Sequence, residues 1–172
     1  MSHAPVLNLA LNLGMTAAPS RIEAETPADA AGVEALIMAA FGPGRFVKTA
    51  ERLREGSRPA AGFVARRGER IFGSVRLWPV LIGETAGLFL GPIAVDAASR
   101  SDGLGAELVQ ACLDQARTMA VGGVLLVGDR AYFERFGFVG APEAILPGPV
   151  DRRRVLWLPT KVETVSGPVR TG

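Results

Sequence analysis

IAVDAASRSDGLGA, residues 93–106, is the most informative segment of the sequence. Ile93 to Val95 read as a short buried strand, and the residues from Leu104 onward begin an amphipathic helix. Gly103 and Gly105 lie at the turn between them, where the absence of a Cβ lets a ligand approach the backbone. A strand, a glycine turn and a helix N-terminus together present free amides and the positive end of the helix dipole. The segment therefore predicts a phosphate or pyrophosphate site.

Three kinds of phosphate-binding loop compete for this segment. A nucleoside-triphosphate P-loop requires a longer spacing between glycines, followed by Lys and then Ser or Thr, which the segment lacks. A dinucleotide fingerprint requires a third glycine where Leu108 stands. The residues exclude both and leave the pattern Arg-x-x-Gly-x-Gly, from Arg100 to Gly105. On its own, this pattern also fits an ordinary glycine turn that only caps a helix.

The composition is that of one soluble globular domain. The chain has 172 residues, 48% of them apolar and 21% charged, which is enough for one core and far from a disordered composition. The net charge of +2 comes without a dense basic stripe, so we expect no nucleic-acid partner. No segment is apolar enough to span a membrane. A single cysteine, Cys112, and a single histidine, His3, exclude a disulfide framework and a Cys-rich zinc site, and we expect no metal.

The two ends of the chain are expected to lie outside the domain. An apolar run from Val6 to Leu13 lacks the basic start of a secretory signal. We therefore expect a loosely ordered N-terminal extension over residues 1–20 of a cytoplasmic protein. The domain is expected over residues 21–163, and a C-terminal tail over residues 164–172.

Apolar periodicity predicts a mixed α/β domain. The helices are expected from Pro27 to Phe41, from Phe46 to about Glu55, from Leu104 to about Met119 and from Arg130 to Phe136. The strands are expected at Arg21 to Glu25, Gly62 to Arg66, Ile71 to Ile82, Leu88 to Asp96, Val124 to Val127 and Val155 to Val162. Gly91-Pro92 should break the fourth of these strands, because proline cannot donate a hydrogen bond to the sheet.

Three segments together resemble the GNAT superfamily of N-acetyltransferases. The pattern from Arg100 to Gly105 is similar to its acetyl-CoA-binding motif, the run LGPIAVD at 90–96 to its bulged fourth strand, and YFERFGF at 132–138 to its later helix-to-strand signature. The resemblance covers residues 21 to 162 in element order. It implies an α/β fold with a mixed, mostly antiparallel central sheet and flanking helices, and acetyl-CoA as cosubstrate without a metal.

The resemblance also implies the residues that bind coenzyme A. Backbone groups of Ile93 and Val95 are expected to meet the pantetheine arm, and amides from Ser101 to Ala106 the pyrophosphate. The full set of expected cofactor contacts is Ile93, Ala94, Val95, Arg100, Ser101, Asp102, Gly103, Leu104, Gly105, Ala106 and Phe133. Asp102 is an unfavourable member of this set, since a carboxylate repels phosphate unless it points to water.

For catalysis, the resemblance implies direct attack of an amine on the thioester, with no covalent enzyme intermediate. Cys112 accordingly reads as a buried structural thiol. The family's acid position, four residues before the glycine of Gly-Phe, holds Phe133, which has no proton to give. Tyr132 is then either the acid or a half-buried structural tyrosine. Asp129 either relays the proton of the amine or caps the following helix.

The acceptor is expected along Phe41 to Arg52, where the family has its acceptor side. Arg45, Lys48 and Arg52 make this region basic, which favours an anionic small-molecule amine or is only a solvated helix face. The run Arg152 to Arg154 is expected as surface charge in a turn before the last strand. Two alternatives to acetyl transfer stay open, namely a non-catalytic acyl-CoA-binding or regulatory domain and an acyltransferase that uses a longer acyl-CoA or an acyl-carrier-protein donor. A homodimer also stays open.

Overall fold

The computed structural model describes residues 21–100 and 102–172. The expectations for the N-terminal extension, His3 and Ser101 therefore lie outside the described residues. The strands are β1 (Arg21–Ala24), β2 (Ala61–Arg67), β3 (Arg70–Ile82), β4 (Thr85–Leu90), β5 (Ala94–Val95), β6 (Gly123–Val127), β7 (Val139–Gly140), β8 (Ala144–Ile145), β9 (Val155–Pro159) and β10 (Gly167–Thr171). The α-helices are α1 (Ala30–Phe41), α2 (Leu104–Thr118) and α3 (Arg130–Phe133).

The strands form one mixed sheet in the order β1-β2-β3-β4-β6-β9-β7. Its pairs are antiparallel except for β4 with β6 and β10 with β8, which are parallel. Strand β3, with 13 residues, is the longest and pairs along its length with β2, β4, β5 and β10. The predicted mixed, mostly antiparallel sheet with flanking helices is therefore confirmed.

The two long helices pack on opposite faces of the sheet. Leu108, Cys112 and the other buried residues of α2 contact the face that carries Ala65 and Val75. Val33 and Ile37 of α1 contact the neighbouring Val64 on the other face. Successive side chains of a strand point to opposite faces of the sheet, so β2 and β3 have buried side chains on both faces. No helix in the described part of the chain is long and apolar enough to cross a membrane.

The helix predicted from Pro27 is present, but its α-helical part, α1, begins three residues later at Ala30. A 3-10 turn, Pro27–Asp29, precedes it. The Asp29 carboxylate accepts hydrogen bonds from the backbone N and the hydroxyl of Thr26, at 2.9 and 3.1 Å, and pairs with Arg66 at 2.7 Å. These bonds lower the pKa of Asp29, with the Thr26 amide as the largest cause. The turn thereby anchors the start of α1 to β2.

The predicted helix from Phe46 to Glu55 is wrong. The structure has two 3-10 helices instead, Pro43–Val47 and Thr49–Leu53, separated by Lys48 in an extended conformation. The Thr49 hydroxyl donates to the carbonyl of Pro149 at 2.6 Å, and Arg52 donates to the carbonyl of Pro147. The segment therefore follows the loop at 146–151, and tertiary contacts override its helical pattern.

The segment expected as a C-terminal tail contains a strand. Residues 167–171 form β10, which pairs with β3 at Val80 to Ile82 and buries Val169. The short strands β7 and β8 also go beyond the predicted elements. Gly167 and Pro168 begin β10 with two residues that sequence patterns associate with turns, so periodicity could not reveal it.

The predicted break at Gly91-Pro92 is present and shapes the sheet. Strand β4 ends at Leu90, the Gly91-Pro92 peptide is cis, and β5 resumes at Ala94. Gly91 N donates to the carbonyl of Arg76 at 2.9 Å, and its own carbonyl accepts from the indole of Trp78 at 2.6 Å. Strand β6 pairs with β4 only at Leu88 and Phe89, before this break. A gap therefore opens between β5 and the end of β6.

Candidate functional site

Two adjoining cavities lie at the gap in the sheet. The larger one, of about 710 Å³, is bounded by the strand break, the end of β6 and the 3-10 segments after α1. The smaller one, of about 480 Å³, is bounded by β5, the loop before α2 and the start of α3. Phe41 and Ile93 line both cavities. A ligand that lies along β5 could therefore reach from one cavity into the other.

The smaller cavity contains most of the expected cofactor contacts. Its lining includes Ile93, Ala94, Val95, Arg100, Gly103, Gly105 and Ala106. Leu104 is buried in the core, so only its backbone is available. Asp102 and Phe133 lie outside this lining, and Ser101 outside the described residues. Arg135, which was not among the sequence-predicted residues, also lines the cavity, so this lining has two cations, Arg100 and Arg135.

The two glycines of the loop shape the cavity in different ways. Gly103 caps the N-terminus of α2 with φ +75°, a left-handed conformation that favours glycine. Gly105 lies within α2, and an added Cβ there would meet the Tyr132 hydroxyl at 3.9 Å and Val95 Cγ2 at 4.0 Å. Such a Cβ would occupy the cavity rather than clash with the protein. The space in the smaller cavity therefore depends on the absence of a side chain at Gly105.

The unfavourable carboxylate of Asp102 is paired. Its Oδ2 lies 3.5 Å from Nη2 of Arg67 on β2, at the edge of the loop. The pair is partly exposed, so its contribution to stability is small. It nevertheless offsets the negative charge beside the loop, which removes the objection that sequence reasoning raised against a phosphate site.

Strand β5 directs backbone groups toward the gap. Asp96 N donates to the carbonyl of Phe72 on β3 at 2.7 Å, and Ala94 is the register partner of Ser74. Backbone groups alternate in direction along a strand, so those of Ile93 and Val95 point away from β3. They point toward the gap between β5 and β6, and they are the groups that the resemblance expects to meet the pantetheine arm.

The neighbouring residues Tyr132 and Phe133 face different cavities. Phe133, which is only 9% exposed, lines the larger cavity. Tyr132 lines the smaller cavity, and the guanidinium carbon of Arg135 lies 4.2 Å from the centroid of its ring. The two rings meet edge to face with centroids 4.9 Å apart. The residue at the family's acid position therefore offers a hydrocarbon surface, and the only tyrosine of the chain faces the loop.

Asp129 caps α3 and also lines the larger cavity, so its position allows both of the roles that the sequence left open. Its Oδ1 accepts a hydrogen bond from Ala131 N at 3.1 Å and so caps α3. The residue also lines the larger cavity at the end of β6. The cap uses one oxygen of the carboxylate, and the other has no hydrogen-bond partner among the described residues.

The charged residues that line the larger cavity are mainly basic. Its lining includes the cations Arg45, Lys48, Arg52, Arg54 and Arg154 and the acids Asp129 and Asp151. Arg45 pairs with Glu34 at 2.8 Å, and Asp151 pairs with Arg153 at 3.0 Å. The run Arg152 to Arg154 forms a 3-10 helix directly before β9, as expected for its position, but Arg154 faces the cavity. Arg54 was not among the sequence-predicted residues.

Cys112 is fully buried in α2, against the core face of the sheet. Burial raises the pKa of its thiol to about 12, so the thiol is protonated at neutral pH. The side chain lines neither cavity. Its environment is that of a structural residue, because a nucleophilic cysteine requires an accessible thiolate.

Comparisons with known proteins agree with this geometry. The sequence model of the acetyltransferase (GNAT) family matches residues 31–138. The uncharacterized N-acetyltransferase YhbS of Escherichia coli strain K12 is 35% identical over 120 residues, which cover 68% of this chain and 72% of the relative.

Two solved structures extend the likeness to the fold. The GNAT family N-acetyltransferase YhbS from Escherichia coli, in complex with CoA, has a TM-score of 0.75 at 29% identity, over 89% of each chain. A GNAT family acetyltransferase from Brucella melitensis, in complex with acetyl-CoA, has a TM-score of 0.71 at 27% identity, over 90% of this chain and 96% of the other. The chain thus belongs to the GNAT family of acetyltransferases.

Proposed function

We propose that this acetyltransferase moves the acetyl group of acetyl-CoA to a primary amine of a small molecule. The observation that carries the proposal is the pair of cavities that meet at Ile93. The smaller cavity has the glycine loop and two arginines for an anionic cofactor, and the larger cavity has charged side chains in its wall for an acceptor. An amine in the larger cavity would approach a thioester where the two meet.

The smaller cavity fits the pyrophosphate and pantetheine of coenzyme A. The amides at the start of α2, together with Arg100 and Arg135, would hold the pyrophosphate. The backbone of Ile93 and Val95 would hold the pantetheine arm, and Ala94 supports this strand from the core. Bound acetyl-CoA supplies the activated acyl group. Support for this assignment comes from the two similar structures, which contain CoA and acetyl-CoA.

The transfer requires one new bond, one broken bond and two proton movements. The amine nitrogen attacks the thioester carbonyl, a C–N bond forms, the C–S bond breaks, and the sulfur leaves as a thiolate. We assign the amine proton to Asp129, directly or through water, since this carboxylate lines the acceptor cavity. Cys112 takes no part because its thiol is buried and protonated.

Tyr132, which lines the smaller cavity, is our candidate for the donor of the proton to the leaving thiolate. Tyr132 carries the only tyrosine hydroxyl of the chain, and Phe133 lines the acceptor cavity without a proton to give. We propose Tyr132 as this donor. An alkyl thiol has a pKa of about 8.5, so the thiolate is a fair leaving group and protonation contributes less than it does for an alkoxide.

The experiment that tests the function is thiol release from acetyl-CoA, measured with and without a panel of small primary amines. We expect amine-dependent release, together with a product whose mass is that of the acetylated amine. Acetyl-CoA should be compared with a longer acyl-CoA and with an acyl-carrier-protein donor in the same assay. A preference for either of these donors would replace acetyl transfer by transfer of a longer acyl group.

A binding module is the second candidate, and Phe133 at the acid position is the observation that favours it. A non-catalytic domain would bind CoA as tightly as an enzyme does but release no thiol when amines are added. Calorimetric titration with CoA and the release assay together separate the two. Tight CoA binding without release for any amine of the panel would establish the binding module.

A further inference from the structure

The guanidinium of Arg54 lies against the strand break, at the inner wall of the larger cavity. Its side chain is only 13% exposed. The guanidinium carbon lies 5.4 Å from the centroid of the Phe89 ring, and a Cβ added at Gly91 would lie 2.9 Å from Nη2. Glycine at position 91 therefore leaves the space that this guanidinium occupies. The charge lies where β4 ends, beside the strand expected to hold the reacting thioester.

The hydrogen-bonding capacity of Arg54 is largely unused. Its Nη1 donates to Glu51 Oε2 at 3.1 Å, whereas the buried Nε has no hydrogen-bond partner among the described residues. Burial lowers the pKa of this guanidinium, Glu51 partly offsets the effect, and Arg45 and Arg76 lower it further. An arginine nevertheless stays charged in a protein and presents five N–H donors. A buried cation with unused donors is unfavourable unless a ligand completes its bonds.

The other cations of the cavity have different partners. Arg45 pairs with Glu34, and Arg52 donates to the carbonyl of Pro147 on the neighbouring loop. Arg52, Lys48 and Arg154 are exposed. They add positive potential around the cavity, but their charges are largely solvated. Arg45 and Arg54 are both 13% exposed, and each has one carboxylate partner and a buried Nε without a partner among the described residues. Arg54 differs in its position, because it lies against the strand break at Gly91, next to the expected thioester, so it is the one placed to select a ligand.

We propose that Arg54 determines acceptor specificity by binding a carboxylate or phosphate group carried by the acceptor amine. The inference rests on the proposed function and adds the chemical class of the substrate. The fork of a guanidinium matches both oxyanions in a bidentate manner. The same charge disfavours an aliphatic acyl chain in this cavity, because the chain would cover a buried cation without pairing it.

The test compares amines that differ only in the anionic group. Protein saturated with CoA is titrated calorimetrically with tyrosine against tyramine, and with phosphoethanolamine against ethanolamine. For at least one pair we expect the anionic member to bind about tenfold or more tightly than its neutral partner, in the range of a charge-assisted hydrogen bond. Arg54→Gln should reduce this preference to about twofold or less, and Arg54→Lys should keep part of it. Equal binding within both pairs by the wild type overturns the proposal.

Two further variants separate ligand binding from a structural role. Glu51→Gln removes the competing carboxylate, so it should increase the preference for the anionic amine, an effect that a merely structural Arg54 would not produce. Arg117→Gln, on the exposed face of α2, is the matched control and should leave the preference unchanged. CoA affinity is the check on folding. The double change Glu51→Gln with Arg54→Gln removes both buried charges if the single variant fails to fold.

Turnover data keep this inference distinct from the proposed function. If the binding preference holds but no amine releases thiol, the transferase proposal fails and the anion site stands. If amines are acetylated but Arg54→Gln lowers kcat/KM equally for both members of each pair, the anion site fails and the transferase stands. A third result also overturns the anion site for the acceptor. In it, Arg54→Gln changes the preference between succinyl-CoA and acetyl-CoA but leaves the acceptor preference unaltered. Arg54 would then bind a carboxylate carried by the acyl donor.

Discussion

Gly103 and Gly105 are separated by one residue, yet they are glycine for different physical reasons. Gly103 has a left-handed backbone, which strains any residue with a Cβ. Gly105 has space for a Cβ, but that space belongs to the smaller cavity. A substitution at Gly103 therefore mixes a folding defect with a binding defect. A substitution at Gly105 tests the cavity without straining the backbone.

Gly105→Ala should make the protein more stable and a weaker binder of CoA. Alanine in a helix is favoured over glycine by about 1 kcal/mol. The new methyl group would occupy part of the smaller cavity. We expect the Kd for CoA to rise about tenfold or more, equivalent to a loss of at least about 1.4 kcal/mol in binding free energy. Urea unfolding and calorimetric titration measure the two effects.

The matched control for this prediction is Gly32→Ala in α1. Its added methyl would meet only the flexible end of Ile71, at 3.2 Å, and lies outside the linings of both cavities. We expect CoA affinity to stay at the wild-type value in this variant. Unchanged CoA affinity in Gly105→Ala would show that the ligand does not use the loop.

Tyr132→Phe removes a single hydroxyl from the smaller cavity. If this hydroxyl protonates the thiolate, kcat should fall by about a hundredfold, the lower end of the usual range for a general acid, and CoA affinity should stay within about twofold. Steady-state kinetics and CoA titration provide the two numbers. The reverse pattern, weaker CoA binding with an unchanged kcat, would assign Tyr132 to cofactor binding and leave the thiolate to solvent.

At the scale of elements, strand β10 pairs with the part of β3 that lies beyond its pairing with β2. Val169 of this strand is buried in the cluster that also contains Leu53 and Trp78. Val169→Ala removes two methyl groups from this core and should lower the free energy of unfolding by about 2 kcal/mol. The loss is measured by urea denaturation. Because β10 lines neither cavity, kcat at low temperature should be unaffected.

The neighbouring Arg170 is the control for β10. Its side chain points to the exposed face of the strand, so Arg170→Ala should change stability by less than about 0.5 kcal/mol. An equally small effect of Val169→Ala would mean that this strand does not contribute to the core, contrary to the pairing with β3.

Local patterns predicted the elements that are stabilised locally. The apolar stripe from Leu104 to Ala116 and the glycines before it are sufficient to predict α2 and its loop. The segment from Pro43 to Leu53 is held by hydrogen bonds to the loop at 146–151, about a hundred residues away in the sequence. Its local helical pattern therefore led to a wrong prediction. Arg54 could not be predicted for the same reason. It is a charged residue near the end of a basic segment, and the local sequence does not show that Phe89 and Gly91 pack against it.

At the scale of the whole molecule, the buried thiol of Cys112 links stability to alkaline pH. Its pKa is about 12 in the folded protein, whereas an unfolded cysteine titrates near pH 8.5. Between these values the unfolded state has lost the proton and the folded state keeps it. This difference lowers the free energy of unfolding as pH rises above about 9, by at most about 1.4 kcal/mol per pH unit.

Cys112→Ala should remove this contribution. The variant should be less stable than wild type at pH 7, because it loses a buried sulfur atom, but the difference should shrink between pH 8 and pH 10. Urea denaturation at several pH values measures both slopes. Parallel curves for the two proteins would mean that the thiol titrates alike in both states. Acetyl transfer at neutral pH should persist in the variant, as expected for a residue outside both cavities.

The two cavities are built from different kinds of segment, which has a practical consequence for engineering. The smaller cavity is built on β5 and α2, which belong to the hydrogen-bonded framework, whereas much of the larger one comes from the 3-10 segments at 43–53 and the loop at 146–151. If the larger cavity binds the acceptor, as we propose, its wall consists of segments that can be exchanged. Grafting these two segments together from a relative should transfer its substrate preference and leave the smaller cavity unchanged. Grafting either one alone should disturb the contacts between them, such as the hydrogen bond from the Thr49 hydroxyl to the Pro149 carbonyl.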